Sequence, residues 1–368
     1  MVEVTEVCLN DYEGIMALFG RHGIPARKYV EWKFFWQENP VLKNTGYACP
    51  RGWVLKDSGK VVGYLGNIPL EYFFRGKKII AAAAHNWVVD KAYRQNSVLL
   101  INNYFRQENA DFLINTTGGN PITQKIFLAY KAKKIPAHSY DISLFSILDY
   151  PAFLKSVAIK KEAVFCQKLA ILAAPLSLLM RWGVEIRNIA RYHNDTGGKV
   201  QRCTDIGRQF DEFWHTLLQQ ENRLLCVRDR KSLQWRYTYA LHEGRIWIYT
   251  VQNNQQMIAY AIFLRDDKPE MNLKRIKLVD IQTLEKEPSA VIFKLLASAE
   301  KRCRREGIHM LEAVGFQPDK RQILAKWLPH KRKTPVWPFY KTGDPALGSK
   351  LEDSTAWDPC LFDGDGSL

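Results

Sequence analysis

The nine residues ARKYVEWKF (26–34) return 203 positions later as DRKSLQWRY (229–237). Each places Arg-Lys, three residues, then Trp, a basic residue and an aromatic, so Arg27 matches Arg230 and Trp32 matches Trp235. Further anchors follow in the same order. Val62-Gly63-Tyr64 meets Ile258-Ala259-Tyr260 at an offset of 196, and WVVD (87–90) meets KLVD (277–280) at 190. INTTGGNPITQKIFLAY (114–130) meets LEAVGFQPDKRQILAKW (311–327) at 197 without a gap, pairing Gly118 with Gly315, Pro121 with Pro318 and Tyr130 with Trp327. Offsets that drift only by loop-sized amounts predict an internal duplication. Whatever fold the chain adopts must then be built twice, and 368 residues suffice for two cores.

Local patterns indicate what each copy contains. Alternation in VEVTEVC precedes a helical run that Asn10 and Glu13 open as a capping box and Gly20 closes. KVQRCTDIGRQFDEFWHTLLQQ (199–220) repeats that order, with Phe210, Phe213, Trp214, Leu217 and Leu218 on one helical face. GWVLKDSGKVVGYLG (52–66) reads as two strands joined at Asp57-Ser58-Gly59, and RIWIYTVQNNQQMIAYAIF (245–263) is its counterpart. An antiparallel run flanked by helices and finished by a crossover predicts an α+β fold in α/β/α layers, each copy a mixed, largely antiparallel sheet. The expected divisions are a first domain over 1–145, a connecting segment over 146–198, a second domain over 199–343 and an acidic tail over 344–368.

Composition narrows the setting. Seven cysteines, an odd number without a CxxC pair, argue for reduced thiols and against structural zinc or a disulfide framework, so no metal is expected. The N-terminal residues are acidic and lack a basic-then-apolar run, so a cytoplasmic location is expected rather than secretion. The net charge of +15 suits polyanionic partners such as nucleotide cofactors, RNA or anionic lipid. The stretch LAILAAPLSLLM (169–180) is too short to span a bilayer, and burial between the domains is the expected fate. The basic residues around it, within 160–187, make a peripheral membrane contact the alternative.

The stretch AHNWVVDKAYRQNSVLLINNYF (84–105) carries the chemistry: an apolar strand ends near Asp90, and a helix pattern starts around Ser97. Such a strand–loop–helix aims backbone N–H groups and a helix N-terminus at one spot, suited to a pyrophosphate, with Lys91 and Arg94 adding charge. VVDKAYRQNSVL resembles the acyl-coenzyme A signature of the GNAT superfamily of N-acyltransferases, a strand ending in Val followed by Tyr-Arg-Gly-x-Gly-x-Gly. The meander before it and INTTGGNPITQKIF after it resemble the same family. The overall layout resembles double-domain members, including those of bacterial surface polysaccharides and the Fem-type aminoacyl transferases.

That resemblance implies acetyl-CoA or another acyl-CoA as co-substrate, held by Val88, Val89, Tyr93, Arg94, Gln95, Asn96, Ser97 and Val98, with Asn120 ending the later strand. His85 and Asp90 are the candidate bases on the cofactor strand, Tyr130 the candidate acid, and Trp36, which lacks a counterpart in the second copy, the candidate acceptor contact. The glycines of the family loop are replaced here by Gln95-Asn96-Ser97-Val98-Leu99. The second copy has Glu285, Glu287 and Pro288 at the matching loop, so it is expected to be a degenerate partner that binds no cofactor. The implied function is acyl transfer to a small acceptor, an amino sugar or nucleotide-linked sugar of surface polysaccharide synthesis. Two alternatives stand beside it: an aminoacyl transferase using transfer RNA, and a catalytically silent scaffold. Sequence leaves the oligomeric state open.

Overall fold

The computed structural model describes residues 2–44, 49–116, 121–137, 139–160, 198–220 and 222–368. Tight turns nucleate its sheets. At Ser58-Gly59, Arg75-Gly76 and Asn254-Gln255 both central residues have positive φ, the turn geometry whose twist matches two paired antiparallel strands.

With strands numbered along the chain, the first sheet runs β1 (Val2–Glu6), β2 (Gly52–Asp57), β3 (Lys60–Phe74), β4 (Lys77–Val89), β5 (Phe112–Asn115), β15 (Phe339–Lys341), β6 (Lys133–Lys134). A short strand β9 (Leu225–Cys226) adds to β3. The second sheet runs β8 (Lys199–Cys203), β10 (Ile246–Asn253), β11 (Gln256–Arg265), β12 (Arg275–Thr283), β13 (Met310–Ala313), β7 (Ile142–Ile147), β14 (His330–Lys333). Both sheets are antiparallel throughout except at one step, β4 with β5 and β12 with β13, which are parallel.

The strand next to that parallel pair comes, in each sheet, from the other half of the chain. β15 pairs with β5 and β6, while β7 pairs with β13 and β14. Divisions at 145 and 343 therefore do not separate the two sheets: β7 straddles the first, and β15 lies within 199–343. The two crossing connections are themselves hydrogen-bonded, Ile135 N–H to Pro338 O at 2.9 Å and Thr334 N–H to Asp141 O at 2.6 Å. A repeated pattern specifies what kind of strand comes next, but not which of two similar sheets receives it.

Helices Ser97–Arg106 and Pro121–Ala129 cover one face of the first sheet, burying Leu100, Ile101, Phe105 and Phe127. The opposite face belongs to a core continuous with the second sheet. There the repeated Trp segments meet as helices Tyr29–Gln37 and Arg230–His242. Trp235 stacks on Phe35 with centroids 5.1 Å apart and donates its Nε1–H to Phe35 O at 2.8 Å. The acidic C-terminal segment is no appendage, since Trp357, Cys360 and Phe362 are buried between the sheets. No helix among the described residues is long and apolar enough to cross a membrane. The stretch 169–180 lies outside the described residues.

Candidate functional site

β4 and β5 pair only over Ala81–Ala83 and Phe112–Ile114, although β4 continues to Val89. The Tyr104 hydroxyl sits where they part, 3.0 Å from Ala82 O and 3.1 Å from Ile114 O. Beyond it, no described strand pairs with β4 on that side along residues 84–89. At the β5 end, Asn115 Oδ1 and Thr116 Oγ1 are buried without a hydrogen-bond partner among the described residues. A bulge on β4 falls in the same place: Tyr64 faces Val88 and Gly66 faces His85, so two residues oppose Leu65 alone. Asn86 in that bulge has φ +48°. Bulges of this kind re-aim side chains beside functional sites.

His85, which precedes the bulge, meets a residue 280 positions away. Its Nδ1 lies 3.2 Å from Asp365 Oδ2, and its Nε2 lies 2.8 Å from Asn86 Nδ2. Because an amide nitrogen can only donate, Nε2 accepts from Asn86 and Nδ1 carries the proton given to Asp365. Both partners are nearly buried, His85 11% and Asp365 9% exposed by side chain. The pair lines a cavity of about 720 Å³ between the two sheets, together with Arg27, Phe35, Trp235 and Arg236. A carboxylate-oriented imidazole opening into such a cavity has the form of a general base. Nothing in the sequence pointed to Asp365; its neighbours Gly364, Gly366 and Ser367 read as an ordinary acidic end.

The remaining sequence-predicted residues divide. Lys91–Asn96 form a 3₁₀ turn leading directly into the helix that begins at Ser97, so the turn, Val88 and Val89 occupy the same end of β4 as His85. Arg94, Gln95 and Val98 are exposed there, Asn96 and Ser97 half-buried, and Tyr93 donates to Asp57 Oδ2 at 2.8 Å. Asn120 lies outside the described residues. Asp90 is occupied: Arg21 contacts it at 2.7 and 3.2 Å and His22 at 3.0 Å. The Arg21 hydrogen bond, opposed by partial burial and helped by His22, holds that carboxyl below its ordinary range, which weakens it as a base. Tyr130 stacks on Phe105, centroids 4.6 Å apart, and its hydroxyl donates to Asn102. That places it in the helix-covered core and away from His85. Trp36 is 1% exposed and packs edge-on against Phe35, so it is a core residue rather than a wall of the cavity.

The second sheet has the same gap with a different filling. β12 pairs with β13 only over Arg275–Leu278. Past that point Lys320 Nζ donates to Ile281 O at 3.0 Å, to Gln282 Oε1 at 2.9 Å and to Asp358. Residues 358–360 lie alongside, with Phe316 N–H to Pro359 O at 2.6 Å and Gln317 N–H to Asp358 Oδ1 at 2.9 Å. Deeper in, Arg228 and Asp280, both fully buried, pair at 2.8 Å. Strand register also corrects one sequence match. Asp90 N–H bonds Val62 O as Leu284 N–H bonds Ile258 O, so Asp90 corresponds to Leu284; Gly66 faces His85 as Ile262 faces Asp280, so His85 corresponds to Asp280. The likeness of WVVD to KLVD was displaced by four residues.

The first gap suits an acyl-CoA on three grounds. It has an unpaired strand edge, two orphaned polar atoms for an amide-bearing chain, and cationic side chains at the adjoining turn. No cluster of three or more metal-ligating side chains occurs among the described residues.

No protein-family model matches the sequence, and no curated protein matches it. Solved structures do. A GCN5-related N-acetyltransferase from Kribbella flavida superposes with a TM-score of 0.53 at 9% identity, covering 93% of this chain and 71% of that one. The fold is that of the GCN5-related N-acetyltransferases. N-myristoyltransferase from Saccharomyces cerevisiae with bound myristoyl-CoA gives 0.54 at 13% identity, over 92% and 78% of the two chains. A probable N-acyltransferase from Enterococcus faecalis V583 gives 0.57 at 7% identity, over 93% and 73%. At these identities the likeness is one of fold.

Proposed function

We propose that the chain is an acyl-CoA-dependent N-acyltransferase whose first sheet binds the co-substrate in the β4–β5 gap. The carrying observation is that this gap, with its two unpartnered polar atoms, opens beside the His85–Asp365 pair. The nucleotide end would lie on the 3₁₀ turn, near Lys91 and Arg94. Bound acyl-CoA supplies a thioester carbonyl open to attack by an amine. Asp365 holds the imidazole with its proton on Nδ1, leaving Nε2 to take the proton of an acceptor amine that displaces the Asn86 amide. The inter-sheet cavity admits the acceptor and the surrounding core limits water. Acetyl is the first acyl group to assay, and an amino sugar or nucleotide-linked sugar the first acceptor.

Calorimetric titration with CoA tests this. Arg94→Glu should weaken binding at least tenfold, because it puts a repulsive charge where the diphosphate lies. Lys286→Glu, on the corresponding loop of the second sheet, should leave it unchanged. His85→Gln should lower turnover by about 10²–10⁴-fold with CoA affinity retained. A wild-type protein that does not bind CoA sinks the proposal. The scaffold reading would then gain, since the 3₁₀ turn has side chains where the family's loop has glycine.

A further inference from the structure

The two Arg-Lys-x-x-x-Trp segments end in opposite electrostatic states. Arg230 pairs with Asp211 at 3.2 Å on the surface. Arg27, its counterpart, makes no ion pair and no side-chain hydrogen bond among the described residues; its guanidinium lies 4.7 Å from the Phe35 centroid and lines the inter-sheet cavity. Arg27 is half-buried, and burial lowers its pKa more than the nearby Glu31 and Asp365 charges raise it. A second guanidinium in the same cavity is also incomplete. Arg236 is 7% exposed and donates Nη1–H to Gly364 O at 2.9 Å, while its Nη2 is buried with no partner. Three of the carboxylates around the cavity are engaged: Glu243 by Arg245, Asp266 by Arg275 and Lys277, and Asp365 by His85. Glu31 also lines it, with no ion pair among the described residues, and one carboxylate does not neutralise two guanidinium groups.

Unpaired buried guanidinium is costly unless an anion completes it, and its planar fork suits carboxylate and phosphate alike. We infer that the cavity binds an acceptor carrying an anionic group, carboxylate or phosphate, that docks on Arg27 and Arg236 while its amine faces His85. Resting on the acyltransfer reading for the amine, this sets a size as well. Arg27 lies 4.7 Å and the His85 ring 6.3 Å from the Phe35 centroid, so a small molecule spans from one to the other.

Titration calorimetry with inorganic phosphate and with acetate tests the anion site without turnover. One of the two should bind the wild-type protein, and Arg27→Met should weaken it at least tenfold, with Arg230→Met as the unchanged control. Tighter phosphate binding identifies a phosphorylated acceptor, and tighter acetate a carboxylated one. Arg236→Met should act in the same direction; because that side chain is buried, thermal unfolding of the variant is measured alongside, and Arg27→Met decides the matter if it does not fold. Binding equal in wild type and Arg27→Met, or absent from wild type, overturns the inference. CoA titration of the same variants separates the two proposals. Arg27-dependent anion binding without CoA binding would leave the anion site standing and remove the acyl-CoA reading. CoA binding with no anion dependence on Arg27 would do the reverse.

Discussion

The first sheet parts at β4 and β5 and leaves a gap; the second parts at β12 and β13 and is sealed. Strand order, pairing sense and the exchanged neighbouring strand are the same in both. What differs is polar chemistry at equivalent positions. Where the first sheet has His85, the second has Asp280, which gathers Arg228, the Tyr260 hydroxyl at 2.7 Å and the Gln282 amide at 2.9 Å. Burial pushes the Asp280 carboxyl up, but the Arg228 charge and hydrogen bond, the Lys320 charge and the Tyr260 hydroxyl together outweigh it, and the net direction is down. The first sheet's ion pair sits at the rim of the gap, with Arg21 34% and Asp90 19% exposed. One copy spends its ionic contacts inside the fold, and the other keeps a half-buried histidine facing a cavity.

Stability should expose that contrast. Arg228→Met removes the cation that pairs with the buried Asp280 and Asp363 and should cost about 3–5 kcal/mol in denaturant unfolding. Arg21→Met removes the rim pair and should cost at most about 1 kcal/mol, since exposed pairs are screened by water. Comparable losses would mean that the two gaps are energetically alike.

A pH series sharpens the same point. Burial pushes the Asp363 carboxyl up to about 6, and Arg228 only partly offsets this. Its pKa unfolded is about 3.9, so the folded state holds the proton more tightly. Stability therefore falls as pH rises from about 4 through about 6. Asp363→Asn removes the ionisation while keeping an acceptor for the Cys360 N–H, which Asp363 Oδ2 meets at 2.9 Å. Relative to wild type the variant should gain up to about 3 kcal/mol at pH 8 and nothing near pH 4. A gain independent of pH would assign the effect to packing instead.

The smallest difference lies at the repeated helices. Asp229 caps Arg230–His242 by accepting from Ser232 N–H at 2.8 Å, whereas Lys28, before Tyr29–Gln37, makes no side-chain cap. Asp229→Ala should cost about 1 kcal/mol and Lys28→Asp should gain about 0.5–1 kcal/mol, both read from unfolding midpoints.

Much of this architecture was legible in short windows. The Ser58-Gly59 turn, the β2 and β3 strands it joins, and the helix of the second Trp segment each depend on residues within a few positions. The repeated order told that two similar sheets would form. His85 was legible as a candidate because it lies on the strand that leads into the 91–97 turn. Trp36 was not legible as core, since an aromatic next to a cavity wall and one inside a core have the same local pattern. Tyr130 was put forward by the family resemblance, and its ring instead found Phe105.

Sequence by itself determined turns and strands, while the capping box read at Asn10–Glu13 forms instead at Cys8–Asp11. Turns and strands follow from backbone dihedral preferences and side-chain periodicity, which act over a few residues. Tertiary structure alone decided which sheet takes β7 and β15, that residues 357–367 thread between the sheets, and that Asp365 meets His85 across 280 positions. Those choices depend on burying apolar surface and completing buried charges between segments distant in the chain. In one sheet that closure is complete, and in the other it leaves Arg27 and His85 facing a cavity.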